Sequence, residues 1–163
     1  MKFFVLSLFF AVVIAGPLWM EANDVSLIRH SWDKVKTNEV EILYLIFKEN
    51  PSIQAKFAAF AGKDLETLKG TAPFAEHANR IISLINRYID LLGDDGNDAT
   101  IKAILEEMGE KHAARGVTKD QFEAFKVTVL NYLKSHVEWN DALGKAWDTA
   151  FDKMYSIVFT KLH

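Results

Sequence analysis

Residues 71–112 read TAPFAEHANRIISLINRYIDLLGDDGNDATIKAILEEMGEKH, and this stretch decides the fold. Phe74, Ile81, Leu84, Ile85, Tyr88 and Leu92 follow the i, i+3, i+4, i+7 pattern of one helix face. Ile101, Leu105 and Met108 resume that pattern after an interruption. The interruption, GDDGND at 93–98, is the clearest loop signal in the chain. Thr71 is placed to cap the first helix, with Pro73 in its first turn, and Asp98 to cap the second.

Each of these two faces carries a histidine. His77 lies between Phe74 and Ile81, and His112 follows Met108 by four. An imidazole on a core-facing stripe needs a hydrogen-bond partner or a metal, because an unsatisfied buried polar group costs about 1–3 kcal/mol. Taken singly, each reads most simply as a satisfied core histidine. Taken together on successive antiparallel helices, the two can point into one cavity. A bare structural zinc would need about four ligands, and no HExxH occurs. Nor is there a Glu-x-x-His, since Leu27, Phe74, Gly109, Leu133 and Thr160 stand three residues before the five histidines. A flat macrocycle would supply the missing ligands itself and leave one axial position on each face.

Outward from this stretch the chain stays helical. Val25, Ile28, Trp32 and Val35 make one stripe, and Val40, Leu43 and Phe47 make the next, with Asn38 and Glu41 as its cap and partner. Pro51 ends that helix or starts a short turn. PSIQAKFAAFAG at 51–62 then places Phe57 and Phe60 in an irregular segment, either as walls for a flat apolar ligand or as corner packing. Gly116 stops the His112 helix, and Thr118 with Gln121 forms a capping box for Phe122, Phe125, Val129, Tyr132 and Leu133. Asp141 opens the last helix, through Leu143, Trp147, Ala150, Met154 and Ile157. His30, His136 and His163 read as surface residues.

Composition narrows the function. The 163 residues are 50% hydrophobic with a net charge of −3, which fits one globular domain and offers no basic surface for nucleic acid or an anionic membrane. With no cysteine, disulfide scaffolds, thiolate metal sites and cysteine nucleophiles are excluded. Residues 1–15 (MKFFVLSLFFAVVIA) differ from the rest: after Lys2 comes an apolar run broken only by Ser7. That run is shorter than the roughly 20 residues of a membrane-spanning helix. Small residues at Val13 and Ala15 precede Gly16-Pro17, so 1–15 read as a cleaved secretory signal peptide and 16–163 as the mature domain.

From about residue 24 onward the chain resembles the globins, and most of all the secreted haemoglobins of insect (midge) larvae. The resemblance rests on SWDKVK at 31–36, ILYLIFKENPSIQAKFAAFAGKDLETLKGTAPFAEHANRI at 42–81, HAARGVT at 112–118 and the tryptophan-bearing last helix. The order Pro51, Phe57, His77, His112 is the globin order. It implies an all-α globin fold, with about six main helices plus short turns around a haem pocket. The implied cofactor is haem b, iron protoporphyrin IX. His112 matches the proximal iron ligand, and His77 the distal histidine that hydrogen-bonds bound oxygen. Ile81 matches the apolar distal residue and Phe57 the phenylalanine stacked on the haem, with Phe60 beside it. Arg80 would meet a propionate or lie over the mouth, or else be a solvated surface residue. Met108, Val117 and Phe122 would line the proximal side. Lys111 and Arg115 are read as solvent-exposed only. The implied function is reversible oxygen binding for transport or storage in extracellular fluid, the haemolymph, by a non-enzymatic monomer or homodimer. The partner is molecular oxygen, with neither nucleic acid nor membrane. The competing reading is a haem enzyme, a peroxidase or a nitric oxide scavenger. A secreted lipid carrier would ordinarily be stapled by disulfides.

Overall fold

A computed structural model describes residues 18–162, so residues 1–15, read as a signal peptide, and His163 lie outside the described residues. Eight α-helices and one 3₁₀ turn make up the regular structure, and no strand occurs among the described residues. The long ones are α1 (Ala22–Asp33), α2 (Glu39–Glu49), α5 (Ala72–Leu91), α6 (Asp98–Ala113), α7 (Lys119–His136) and α8 (Asp141–Val158). Two short helices, α3 (Pro51–Gln54) and α4 (Leu65–Lys69), lie between α2 and α5. The 3₁₀ turn Asp95–Asn97 sits inside the expected loop. Six main helices and short turns match the reading from periodicity.

The apolar stripes meet in one core. Helix α8 packs against α1 and α6, and α2 packs against α5 and α7. Ile28, Phe47, Phe74, Leu105, Leu133 and Val158 are almost wholly buried there. Each such side chain contributes about 1.5–3 kcal/mol relative to exposure. Several buried polar groups pair across helices. The Trp147 indole donates to the Ser31 hydroxyl at 3.0 Å, and the Trp32 indole to Asn86 at 2.5 Å. Tyr88 donates to the Ala150 carbonyl at 2.7 Å, and its burial raises the phenol pKa.

Helix ends show where local signals prevailed and where they did not. The capping box at Thr118 and Gln121 is formed in both directions. By contrast, Asn38, Thr71 and Asp98 do not cap with their side chains. Asn38 holds the N-cap position of α2 but gives its amide to the Tyr132 hydroxyl at 3.0 Å. Thr71 precedes α5 but donates to the Leu68 carbonyl at 2.8 Å. Asp98 is the first residue of α6, after Asn97, and accepts a bond from the Leu18 N–H at 3.4 Å. Asn140, one residue before Asp141, caps α8 through the Leu143 N–H at 2.9 Å. At the far end of α5, the Arg29 guanidinium of α1 donates to the carbonyls of Ile89, Asp90 and Leu92 at 3.0–3.4 Å. It satisfies carbonyls that a helix C-terminus leaves open.

Candidate functional site

Helices α5 and α6 face each other across a cavity of about 720 Å³. That volume falls within the range of small-molecule and cofactor sites, about 300–1,000 Å³. Its floor comes from Leu43, Ile46 and Phe47 of α2, Phe122 and Phe125 of α7, and Met154 of α8. Its walls carry both His77 and His112.

His112 is held from below. Its Nδ1 lies 2.8 Å from the Met108 carbonyl, one turn back on α6. A carbonyl only accepts, so Nδ1 carries the proton and Nε2 keeps its lone pair for the cavity. The Phe122 ring packs at 5.3 Å from the imidazole. Just beyond, Gly116 takes a φ of +69°, the left-handed region that a side chain disfavours. This turn sends the Val117 N–H back to the His112 carbonyl at 3.1 Å and starts α7 beneath the cavity. Burial lowers the His112 pKa most; the Met108 carbonyl opposes that shift, and the Arg115 charge adds to it.

His77 is held differently. Its Nε2 is buried and has no hydrogen-bond partner. The ring is fixed by aromatic edges instead: Phe57 at 4.7 Å and Phe60 at 5.6 Å, inclined at 63° and 62°. Burial, then the charges of Arg80, His112 and Arg115, push its pKa down to about 4, so the ring is neutral near pH 7. A neutral imidazole with a free buried nitrogen suits a ligand placed in the cavity.

Of the nine residues expected at the site, eight line the cavity: Phe57, His77, Arg80, Ile81, Met108, His112, Val117 and Phe122. Phe60 is not among the lining residues. It is buried behind Phe57 and His77, with its ring 5.9 Å from Phe47 and 5.6 Å from Phe74. Arg80 is an exposed residue at the rim and pairs with Glu76. Lys111 and Arg115, read as solvent-exposed, also border the cavity. Lys111 pairs with Glu107 at 2.5 Å, and Arg115 donates to the Lys111 carbonyl at 2.5 Å. Leu84, Ile85 and Ile104 line it too. The first two stand on the stripe that carries His77, which was the available signal.

The fit to a haem rests on these residues. Among the described residues, no group of three or more His, Asp or Glu could hold a bare metal ion. One imidazole with a free Nε2, a second with an orphaned Nε2, and apolar walls between them fit a flat macrocycle that brings its own equatorial ligands. No helix among the described residues is long and apolar enough to cross a membrane.

Known proteins resemble this chain in sequence and fold. A model of the globin family matches residues 40–158. Globin CTT-II beta of the midge Chironomus thummi thummi is 47% identical over 162 residues, which is 99% of this chain and 100% of that protein. Globin CTT-X of the same organism is 47% identical over 148 residues, 90% of this chain and 98% of that one. Among solved structures, the haemoglobin component TA-VII of Tokunagayusurika akamusi superposes with a TM-score of 0.85 at 48% identity. It covers 90% of this chain and 99% of its own. A Drosophila melanogaster globin follows with a TM-score of 0.78 at 29% identity, over 86% and 94% of the two chains.

Proposed function

Since this chain belongs to the globin family and shares its fold, we propose that it binds molecular oxygen reversibly at a haem b held between His112 and His77. The haem iron supplies the oxygen-binding chemistry when the group is in place. Everything else is done by the chain's own side chains. His112 presents Nε2 as the iron ligand, with its tautomer fixed by the Met108 carbonyl. His77 offers an N–H to the oxygen side of the cavity, contributing about 0.5–1.5 kcal/mol as one hydrogen bond. Phe57 packs against the macrocycle, and Ile81 restricts the space beside His77. Met108, Val117 and Phe122 keep water from the proximal side. Arg80, at the rim and paired with Glu76, would be within reach of a propionate.

The observation that carries this reading is the complementary state of the two imidazoles on one cavity. One has its Nδ1 satisfied and its Nε2 free, and the other has a buried Nε2 with no partner. The site of action we propose is extracellular, in haemolymph, after residues 1–15 are removed. The relatives named as midge globins and the apolar leader support this.

An absorption spectrum tests the reading, taken with and without dithionite and then under oxygen and carbon monoxide. A five-coordinate reduced spectrum that converts reversibly to an oxy form is the expected result. Absence of a Soret band after haemin is added would overturn it. Sustained fast peroxide turnover would move the assignment to a haem enzyme. Mass measurement of the secreted protein tests the cut after Ala15.

A further inference from the structure

The His112 helix lies unusually close to the end of α8, and the contact is made at Gly109. This residue is buried and stands three positions before His112. A Cβ built on it would meet the Val158 carbonyl oxygen at 2.9 Å and the Lys161 Cβ at 3.0 Å. Real Cβ atoms essentially never come that near, and the first of these neighbours is backbone. Lys161 then lies over the notch. Its ammonium reaches Glu110 at 3.1 Å and Glu106 at 3.6 Å, on either side of Gly109 along α6.

We infer that the Gly109 notch and the Lys161 clip set how far His112 stands into the cavity, making both positioning residues for the iron ligand. Any side chain at 109 must part α6 from α8. Met108, whose carbonyl holds the His112 Nδ1, is the adjacent residue and moves with it. Interiors are packed too densely to absorb such a shift without passing it on. The sequence offers no sign of this contact, because a lone glycine on a helix reads only as a weak position. The inference rests on His112 being the iron ligand.

The test uses the haem-loaded mature protein and four variants: Gly109→Ala, Lys161→Ala, His112→Ala and the control Ile28→Val on α1. Resonance Raman of the reduced, oxygen-free protein reads the iron–imidazole stretching band. Flash photolysis reads carbon monoxide association, and melting reads stability. Gly109→Ala should shift the band and change the association rate, and Lys161→Ala should do both by less. Ile28→Val should lower the melting temperature and leave band and rate alone. A Gly109→Ala protein that melts earlier yet keeps the parent band and rate would overturn the inference. Should Gly109→Ala fail to fold, an unshifted band in Lys161→Ala would overturn it instead. A band that survives His112→Ala would instead refute His112 as ligand, a separate failure.

Discussion

On α6 the imidazole of His112 is tied through Nδ1 to a carbonyl of its own helix, one turn back. On α5 the imidazole of His77 has its buried nitrogen unpartnered and is oriented by the edges of Phe57 and Phe60. The first arrangement fixes a tautomer and a direction together, as a permanent metal ligand requires. The second leaves a nitrogen free for a small molecule that arrives and departs. Burial depresses both pKa values, so both rings stay neutral near pH 7, and the difference between them lies in what holds each ring.

Substitutions at the two rings should break the site in unequal ways. His112→Ala has the largest expected effect: loss of most of the haem, read as a missing Soret band after haemin titration. His77→Val should keep the haem but release oxygen faster, by roughly two- to tenfold if one hydrogen bond is lost, and oxidise sooner. Stopped-flow oxygen release and the rate of met-form appearance check both effects. An unchanged release rate would remove His77 from the oxygen side.

Phe60→Leu sharpens the contrast, because it touches the orientation of His77 without touching the cavity wall. It should cost about 1 kcal/mol of stability and give an oxygen release rate between those of the parent and His77→Val. Thr118→Ala removes half of the capping box that starts α7. The expected loss is about 1 kcal/mol in chemical denaturation, with the haem spectrum unchanged.

A separate effect concerns pH, in the haem-free protein. His77 has a folded pKa near 4 against an ordinary value of 6.5. Below pH 6.5 the unfolded chain takes up a proton that the folded chain refuses. Stability is therefore intact above pH 6.5 and declines as pH falls toward 4. His77→Val should flatten that decline, as equilibrium denaturation at several pH values would reveal.

Much of the fold is legible in the residues because its helices are amphipathic. The stripes through Phe74, Ile85 and Tyr88, and through Ile101 and Leu105, point inward in the structure as read. The Thr118–Gln121 box is legible for a related reason, since both of its bonds are local. Asn38 and Thr71 show the limit. Their residue types signal caps, but a tyrosine from α7 and a carbonyl of α4 take their hydrogen bonds. Periodicity tells inward from outward, not which neighbour waits there. Phe60 shows the limit at the site: its irregular segment carries no period, so cavity wall and corner packing read equally, and the structure places it behind His77. Arg29, 60 to 63 residues from the carbonyls it serves, carries no local signal at all.

That arginine has a mechanical consequence. Its guanidinium fastens the final carbonyls of α5 to α1, near Ile89 to Leu92, while His77 lies toward the opposite end of the same helix. The separation is about 18 Å at 1.5 Å per residue, so a tilt of about one degree about the fastened end carries the His77 ring about 0.3 Å. Phe74 and Ala78, buried on either side of His77 on the same helix, would move with it, so the fastened end and the packed end together hold the ring in place.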